Sequence, residues 1–423
     1  MSGHSGPWLR TAAAAAVTRA RDAARYLRHE GVRTAANRAL LEGGQRAFHP
    51  IPFDLDVRPA DVLAEPMAAD RRASRPGQPL AINWVINPPS ESSGGMGTIM
   101  RACRLLEERG HSCHFYVMYT GYQRHLGRHR ALLRSTFPGV QASLDDVDGG
   151  MRPADAVLAT AWPTAYVVRS RPTTGTRFYF VQDFEPLFYP TGTNSTLAAE
   201  TYRFGFHGIT AGPWLATKLE REFGMVSDHF ELGVDLSCYH LGGSTGRPGP
   251  AGRPAIVFYA RPETARRGFE LGMMALELFA RRHPDVVVHL VGADVRLHKA
   301  PFVFVNHGVL SPVALAALYR DCTAALVLSL TNLSLLPAEL LACGCIPVMN
   351  DAEHTRIGCP NPYARFATPS PAALAAELGH VIDHPPGPDE RRAAAASVAG
   401  LSWDLVADQL EGAITRGLAR DAH

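Results

Sequence analysis

The sequence predicts an α/β protein with two domains, each built on a parallel sheet covered by helices. A chain of 423 residues exceeds what one hydrophobic core normally organises. Short apolar runs alternate with helical stretches along most of it. The stretch HLGGSTGRPGPAGRP (240–254) interrupts this alternation, after which the pattern restarts. Two Rossmann-like domains that face a central cleft are the economical architecture.

The first domain opens with a strand at 81–87, a Gly-rich loop, a helix at 97–109 and a strand at 113–119. Gly110 marks the end of that helix. Three further apolar runs follow between helical stretches, at 156–160, 177–182 and 208–210. This order is typical of a parallel sheet covered by helices.

The second domain repeats the pattern. Its predicted elements are strands at 255–260, 286–292, 302–306 and 324–329, with helices at 266–282 and 312–320. Ser311 is placed to cap the second of these helices, and Pro312 fits its first position.

These observations divide the chain into five parts. We expect an Arg/Ala-rich helical extension (1–75), a first Rossmann-like domain (76–238), a linker (239–254), a second Rossmann-like domain (255–401) and a C-terminal helix (402–423). For the extension we favour a solvated helical pair over a basic surface that contacts anionic lipid, and both remain open.

Composition excludes several classes of function. The net charge of +2 gives no reason to expect a nucleic-acid partner. Seven cysteines without a CxxC pair argue against a disulfide framework or a structural zinc site and favour a reducing compartment. No apolar run reaches the length of a membrane span, so we expect a cytoplasmic protein with at most peripheral membrane contact.

Glycines follow the first predicted strand. Gly94, Gly95 and Gly97 allow backbone N–H groups to approach an anion or a sugar at a helix N-terminus. The loop has no following lysine and lacks the G-x-G-x-x-G spacing, so neither a P-loop nor a dinucleotide fingerprint is present. A plain tight turn is an equally good interpretation.

Arginines follow the first strand of the second domain. Arg261 ends the strand, and Arg266 and Arg267 precede Gly268. Ligands of open α/β sheets bind beyond the carboxyl ends of the strands, and guanidinium groups suit phosphate. A surface position is the alternative, although cations at a helix N-terminus oppose its dipole.

The segment TNLSLLPAELLACGCIPVMND (331–351) places Glu339 in a first helical turn behind Pro337. The carboxylate there stabilises the helix by about 0.3–1 kcal/mol through the dipole. It is also placed to accept hydrogen bonds from a ribose hydroxyl while the amides of the preceding loop hold a diphosphate. The two roles are compatible.

Several motifs together resemble a known family. The order R-x5-R-G from Arg261, then HLVG, NHGVLSPVALAALYRDC and LPAELLACGCIPV, is similar to the nucleotide-binding domain of retaining GT-B glycosyltransferases of family 4. FVQDFEPLFYP (180–190) and FELGVDLSCYH (230–240) further resemble the WsaF-type rhamnosyltransferases, and the resemblance covers roughly 80–415.

This resemblance implies a nucleotide-sugar substrate and assigns residues to it. The C-terminal helix would return to the first domain. The donor-binding residues would be Gly94, Gly95, Arg261, Arg267, Thr331, Asn332, Ser334, Leu335, Leu336 and Glu339. Arg261 and Arg267 would also act in catalysis by neutralising the leaving diphosphate.

One position departs from the family pattern of two glutamates separated by seven residues. Glu339 matches the second glutamate, which contacts the ribose, but Thr331 occupies the position of the first, which contacts the sugar. A 6-deoxy sugar is compatible with this change, and we expect dTDP-L-rhamnose as the donor.

The resemblance places the segment VQDFEP on the acceptor side of the cleft. Gln182, Asp183 and Glu185 are the candidates there, with Asp183 the catalytic one because it can accept a hydrogen bond or proton from the acceptor hydroxyl. Capping of the next turn is the structural alternative. The acceptor would be a surface or secreted glycan or a lipid-linked glycan.

We expect neither a metal nor a cofactor. The triplets Asp54-Leu55-Asp56 and Asp146-Val147-Asp148 match the DxD pattern of metal-dependent glycosyltransferases, but both fall in predicted loops. Two other functions stay open. One is a catalytically silent module that binds glycan or acts as a scaffold, and the other is a transferase of the same fold that acts on a natural product.

Overall fold

The computed structural model describes residues 55–70, 77–90, 94–120, 124–242, 253–295 and 301–421. Almost all of these belong to one compact unit, Val57–Thr120 together with His125–His423, and the description applies to that unit. Residues 1–54 of the predicted extension and residues 243–252 of the predicted linker lie outside the described residues. None of the described helices combines the length and the apolar character that spanning a membrane requires.

A seven-stranded sheet forms the first part of the unit, with the order β4-β3-β2-β5-β7-β8-β9 and all neighbours parallel. Its strands are β2 (Ala81–Ile86), β3 (Ser112–Val117), β4 (Ser143–Asp146), β5 (Ala156–Ala159), β7 (Thr176–Val181), β8 (His207–Ala211) and β9 (Ser227–Phe230). A separate pair joins β1 (Ala69–Asp70) to β6 (Thr173–Thr174). The five strands predicted here are confirmed, and they read as continuous apolar runs because both faces are covered.

Six helices accompany these strands: α1 (Pro59–Leu63), α2 (Gly94–Glu108), α3 (Leu126–Thr136), α4 (Trp162–Ser170), α5 (Thr193–Thr201) and α6 (Pro213–Phe223). α2 begins three residues before the predicted start at 97, so Gly94 and Gly95 form its first turn. Gly110, with φ of 89°, ends it as predicted, because this left-handed conformation suits glycine.

A six-stranded parallel sheet forms the second part, with the order β12-β11-β10-β13-β14-β15. Its strands are β10 (Ala255–Tyr259), β11 (Val287–Val291), β12 (Val305–Asn306), β13 (Ala324–Val327), β14 (Ile346–Asn350) and β15 (Arg365–Ala367). The strand predicted at 302–306 is reduced to its last two residues, at the edge of the sheet. The two parallel sheets confirm the predicted fold with two Rossmann-like sheets.

The helices of the second part are α7 (Phe269–Arg282), α8 (Pro312–Asp321), α9 (Leu336–Ala342), α10 (Glu353–Gly358), α11 (Pro371–Asp383) and α12 (Pro388–Ala396). The helix predicted at 266–282 is divided: Ala265–Arg267 form a 3-10 turn, and Gly268 at φ 57° separates that turn from α7. Ser311 caps α8 by accepting from the Ala314 amide, as predicted.

The last helix, α13 (Trp403–Asp421), packs on the first sheet and on α2. Its buried face consists of Val406, Ala407, Leu410, Ala413 and Ile414. A Cβ on Gly417 would lie 2.3 Å from the Phe178 ring of β7, so the helix rests directly on the strand. Before α13, the Val234 amide donates to the Leu401 carbonyl over 2.7 Å, which joins the two segments that cross between the sheets.

Candidate active site

The candidate site lies where strands of both sheets end. Gln182 and Asp183 follow β7 of the first sheet, Arg261–Arg267 follow β10 of the second, and Ser329–Asn332 follow β13. The carboxyl ends of parallel strands are where open α/β sheets bind ligands. Hydrogen bonds and an ion pair join these three loops, so predicted residues that follow strands of both sheets meet.

Asp183 is the centre of these contacts. Its Oδ2 accepts from the Thr331 hydroxyl at 3.0 Å and lies 3.2 Å from Nε of Arg266. Its Oδ1 accepts from the adjacent Phe184 amide at 2.9 Å, whereas the turn that starts at Glu185 has no side-chain cap. Burial raises the pKa of this carboxyl, and the positive charges of Arg266 and Arg267 oppose that rise.

Asn332 makes a second connection between the sheets. Its side-chain amide donates to the carbonyls of Gln182 at 2.9 Å and Ala211 at 3.1 Å. The Gln182 side chain in turn lies beside Gly95, where a Cβ would be 3.5 Å from Nε2. The glycines at the start of α2 are therefore next to the loop that carries Asp183.

Arg267 is fixed by the loop after β13. Its Nη1 donates to Ser329 Oγ at 2.8 Å and lies 3.4 Å from the Asn332 carbonyl. Burial lowers the pKa of this guanidinium, while the Asp183 carboxylate raises it. The remaining N–H groups of Arg267 are free for a ligand, since no other side-chain contact engages them among the described residues.

Arg261 stands at the end of β10 without a hydrogen bond or ion pair to the described residues. Its guanidinium lies 6.0 Å from the Tyr259 ring. Its Cδ is 3.3 Å from where a Cβ of Gly292 would be, so the absence of a side chain at the end of β11 makes room for it. Arg261 and Arg267 are also close enough for their charges to interact.

Arg266 was noted in the sequence but not assigned to the site. Its guanidinium stacks on Phe188, 4.2 Å from the ring centroid, and its backbone carbonyl accepts from the Leu330 amide. Its Nε is near Asp183, yet the N–H makes no hydrogen bond, so the contact is purely ionic. The paired arginines were the available signal, but only the loop geometry shows that Arg266 and Arg267 point to different partners.

Glu339 occupies the first turn of α9, as predicted, behind Leu335 and Pro337. Burial raises the pKa of its carboxyl to about 7; the charge of Arg101 opposes this and that of Asp235 adds to it. The carboxylate makes no hydrogen bond to the described residues. Nearby, the buried Tyr319 hydroxyl also has no partner among them.

Arg101 and Asp235 were not assigned to the site from the sequence. Arg101 comes from α2, lies 4.0 Å from Asp235 and stacks 4.4 Å over the Trp403 ring. Asp235 belongs to the segment that crosses to the second sheet. Neither residue carried a signal except that Asp235 lies in the FELGVDLSCYH motif.

The structure corrects the assignment of Glu185 to the acceptor side. Its Oε2 accepts from the Trp162 amide at 2.7 Å and its Oε1 accepts from the Tyr179 hydroxyl at 3.2 Å. The carboxyl is buried in the first domain, where burial raises its pKa to about 8. Glu185 lies 23 positions from Trp162 in the chain, and its carboxyl caps the first amide of α4, so it is not available to a substrate.

Comparison with known proteins finds matches to the WsaF family descriptions and to a polysaccharide biosynthesis protein. Residues 254–379 match the family description "WsaF, C-terminal domain", and residues 145–211 match "WsaF, N-terminal domain". The O-antigen biosynthesis protein RfbC of Myxococcus xanthus is 32% identical over 400 residues. That match covers 91% of this chain but 30% of the relative, which is much longer.

Solved structures agree on the architecture. Sucrose-phosphate synthase from Thermosynechococcus elongatus matches 81% of this chain and 99% of its own, with a TM-score of 0.61 and 13% identity. A glycosyltransferase from Rickettsia africae gives 0.60 and 14% over 80% of this chain and 99% of its own. HepE of Anabaena, in complex with UDP-glucose, gives 0.57 and 14% over 81% and 100%. The chain has the GT-B fold.

A cavity of about 360 Å³ opens beside the GT-B cleft. Gly94, Arg101, Phe137, Leu335 and Trp403 are among its lining residues. The predicted donor residues Ser334, Leu335 and Leu336 are partly exposed, and only Leu335 reaches this cavity. The start of α2 and the start of α9 therefore border the same space.

The predicted absence of a metal stays a prediction. In the described part of the GT-B chain, Cys103, Glu107 and Cys113 form one group whose ligand atoms all lie within 4.8 Å of one another. The DxD triplet at 146–148 serves the structure: Asp146 accepts from the Asp148 amide, and Asp148 pairs with Arg58 and Arg171. Asp54 of the other triplet lies outside the described residues.

Proposed function

We propose that the protein is a retaining glycosyltransferase of family 4 type that takes its sugar from a nucleoside diphosphate. The observation that carries this proposal is the group of three arginines, Arg261, Arg266 and Arg267, at the carboxyl end of β10. It faces Asp183 of the other domain. A diphosphate is the leaving group that such a concentration of guanidinium groups suits best.

In the proposed complex, Arg261 and Arg267 hold the diphosphate and Glu339 accepts a hydrogen bond from the ribose. Arg261 has no competing partner among the described residues, and Arg267 keeps free N–H groups. The N-terminus of α2 adds a favourable dipole from the first domain. Fixed charges of this kind stabilise the negative charge that develops as the glycosidic C–O bond breaks.

Asp183 would serve the acceptor. The acceptor oxygen forms a bond to the anomeric carbon on the face that the diphosphate leaves, and its proton passes to Asp183 or to the departing phosphate. Asp183 lies between the loops that carry Thr331 and Arg266, which supports this location for the reacting atoms. Gln182 would contact the acceptor beside it.

We propose dTDP-L-rhamnose as the donor and a surface or secreted glycan as the acceptor. Support for the donor is the family resemblance, in which Thr331 matches the position of a sugar-contacting glutamate. Support for the acceptor is the similarity to an O-antigen biosynthesis protein. HepE, a protein of the same fold, has been solved with UDP-glucose, so uridine donors are the alternative to test. Reaction in the cytoplasm agrees with seven unpaired cysteines. Peripheral membrane contact through the N-terminal arginines is proposed from the sequence alone.

A donor screen tests the proposal. Purified protein is incubated with dTDP-L-rhamnose, UDP-glucose and GDP-mannose, with oligosaccharide acceptors, and release of free nucleoside diphosphate is measured. We expect release from dTDP-L-rhamnose, and a rate of release about 10- to 150-fold lower in Arg267→Gln. Binding of dTDP without release from any donor would instead support a silent module, which Thr331 in place of a carboxylate favours. Release that requires a small aglycone would support a natural-product transferase.

A further inference from the structure

The three arginines already have a negative partner in the absence of donor. Asp183 is the one carboxylate of the described residues that lies within ion-pairing distance of any of them, 3.2 Å from Arg266. Its charge also acts on Arg267. Formally, three positive charges and one negative charge leave the group at +2, because 3 − 1 = 2. The carboxylate therefore occupies the electrostatic position that a phosphate would take.

Asp183 is also inaccessible in this arrangement. Its side chain is 12% exposed, and both of its oxygens have partners. An acceptor hydroxyl cannot reach this carboxylate unless the contacts with Thr331 and Arg266 open first. These two partners belong to the second sheet and Asp183 to the first, so the contacts also hold the two domains together at this point.

Resting on the proposed function, we propose that Asp183 is an internal counter-ion of the arginines, held by Thr331 and Arg266, which the donor diphosphate displaces. The negative charge of a diphosphate on Arg261 and Arg267 cancels the positive charge that draws Asp183 to the arginines, so its contacts with Thr331 and Arg266 weaken and the carboxylate becomes available to the acceptor hydroxyl. Donor binding and exposure of the acceptor-side carboxylate are thereby coupled. The acceptor reacts only after the donor has bound.

Thr331 and Arg266 act as positioning residues in this scheme. The Thr331 hydroxyl contributes a hydrogen bond without charge, and Arg266 contributes charge without a hydrogen bond. Phe188, stacked on Arg266, keeps the guanidinium over the loop of Asp183. Removing the Thr331 hydroxyl therefore weakens the hold on Asp183 and leaves the charge of the phosphate site unchanged.

Calorimetric affinities of Asp183→Asn and Thr331→Val for dTDP test whether the nucleotide displaces Asp183 from its partners or is only repelled by its charge. We expect Asp183→Asn to bind on the order of tenfold more tightly, since a competing anion is removed. Thr331→Val should also bind more tightly, by on the order of tenfold, because it removes a charge-assisted hydrogen bond that opposes binding. Thr415→Val, which removes a hydroxyl bonded within its own helix, is the control and should bind like wild type.

If Asp183→Asn alone binds dTDP more tightly, and Thr331→Val binds it equally or more weakly, Asp183 only repels the nucleotide. That result would overturn the proposal that Thr331 and Arg266 hold Asp183 as a counter-ion. Wild-type affinity in both variants would overturn it as well, while the proposed function stands. Failure of every protein, wild type included, to bind any nucleoside diphosphate would overturn both.

A second measurement uses the wild-type chain, so it does not depend on the variants folding. Carbodiimide-catalysed coupling of glycine ethyl ester to Asp183 is quantified by peptide mass spectrometry with and without saturating dTDP. We expect little labelling of Asp183 without nucleotide and a several-fold increase with it, whereas exposed Asp389 should label equally in both. Unchanged or reduced labelling of Asp183 in the presence of dTDP would contradict displacement.

Discussion

Arg261 and Arg267 differ in how firmly the protein holds them, although both face the same cleft. Arg267 is fixed by Ser329 and Asn332, whereas Arg261 only lies near the Tyr259 ring. A fixed guanidinium loses little conformational entropy when it binds a phosphate. Arg267 should therefore contribute more to donor affinity than Arg261 does.

Replacing either arginine tests this order. Charge-assisted hydrogen bonds are worth roughly 1.5–3 kcal/mol, so Arg267→Gln should weaken dTDP binding by about 10- to 150-fold. Arg261→Gln should weaken it at the lower end of that range. Arg282→Gln, on the exposed end of α7, is the matched control, and the measurement is calorimetric affinity. Unchanged affinity in Arg267→Gln would remove the basis of the donor site.

Under the proposed function, the titration of Glu339 makes donor binding depend on pH. Because burial raises its pKa to about 7, the carboxyl is largely protonated at pH 6 and largely ionised at pH 8. An ionised carboxylate accepts a stronger hydrogen bond from a ribose hydroxyl. We expect the affinity for dTDP-L-rhamnose to rise between pH 6 and pH 8 in wild type and to stay flat in Glu339→Gln. A parallel rise in the variant would assign the titration to another group.

Glu185 makes a prediction about stability. Its folded-state pKa of about 8 lies above the ordinary value of 4.5, so the folded protein holds the proton more tightly than the unfolded chain. The contribution is complete below pH 4.5 and is lost as pH rises through 8, by at most about 1.4 kcal/mol per pH unit. The unfolding temperature of Glu185→Gln, relative to that of wild type, should therefore rise from pH 5 to pH 9. A constant difference would contradict the raised pKa.

For individual residues, the sequence predicted some positions in the fold and missed others. Arg261, Arg267 and Glu339 could be placed in the fold, because strand ends and a Pro-marked helix start are local patterns, and their role in donor binding stays a prediction. Glu185 could not be assigned correctly, because its partners Trp162 and Tyr179 come from other elements. A carboxylate in a loop motif looks the same in a sequence whether it faces a substrate or an amide of the core.

At the scale of elements, glycine decides how closely two helices approach their sheets. A Cβ on Gly272 of α7 would lie 2.3 Å from the Phe258 ring of β10, and one on Gly417 of α13 equally close to Phe178. Each helix thus lies nearer its strand than any side chain permits. The sequence predicted these helices but not the contact, since a glycine inside a helix only lowers propensity locally.

Two glycines of α13 provide a matched test. Gly417→Ala should lower the unfolding temperature, because the new methyl group meets an aromatic ring that cannot move away. Gly412→Ala meets only the flexible end of Arg416 at 3.0 Å and gains helix propensity, by up to about 1 kcal/mol. Thermal unfolding of the two variants should differ in sign. Equal effects would show that α13 is not pressed against β7.

The division of the predicted helix at 266–282 is the clearest element-level error. Apolar periodicity runs on through Gly268, but its left-handed conformation ends the 3-10 turn before α7 starts. This break turns Arg266 toward Asp183 and Arg267 toward Ser329. A continuous helix would have placed both guanidinium groups on one surface.

At the scale of the whole molecule, the cysteines report on both sheets. Six of the seven are buried, and Cys238 is partly exposed. Burial raises the pKa of the thiols of Cys103, Cys322, Cys343, Cys345 and Cys359. With an aromatic disulfide reagent at pH 8, we expect at most one fast-reacting thiol in the native protein and seven after denaturation. Several fast thiols in the native state would mean that one of the cores is open.

The overall architecture was predictable because it rests on the repeated alternation of strands and helices around a Gly/Pro-rich break. How the loops of the two sheets meet was not, since Asp183 and Thr331 are 148 positions apart and neither has a local signal for the other. Contacts between residues so distant in the chain depend on how the two sheets are placed.

The chain forms the first sheet, then the second, and its last helix, α13, packs again on the first. The Val234 amide donates to the Leu401 carbonyl where the two connecting segments cross. A hybrid enzyme that borrows its nucleotide-binding half from a homologue must therefore switch parents twice, near 234 and again near 401. A hybrid spliced once would bring a foreign tail to lie on Phe178 and its neighbours. Under the proposed function, donor preference is exchanged as an internal segment of the chain, and the nineteen residues of the final helix stay with the acceptor half.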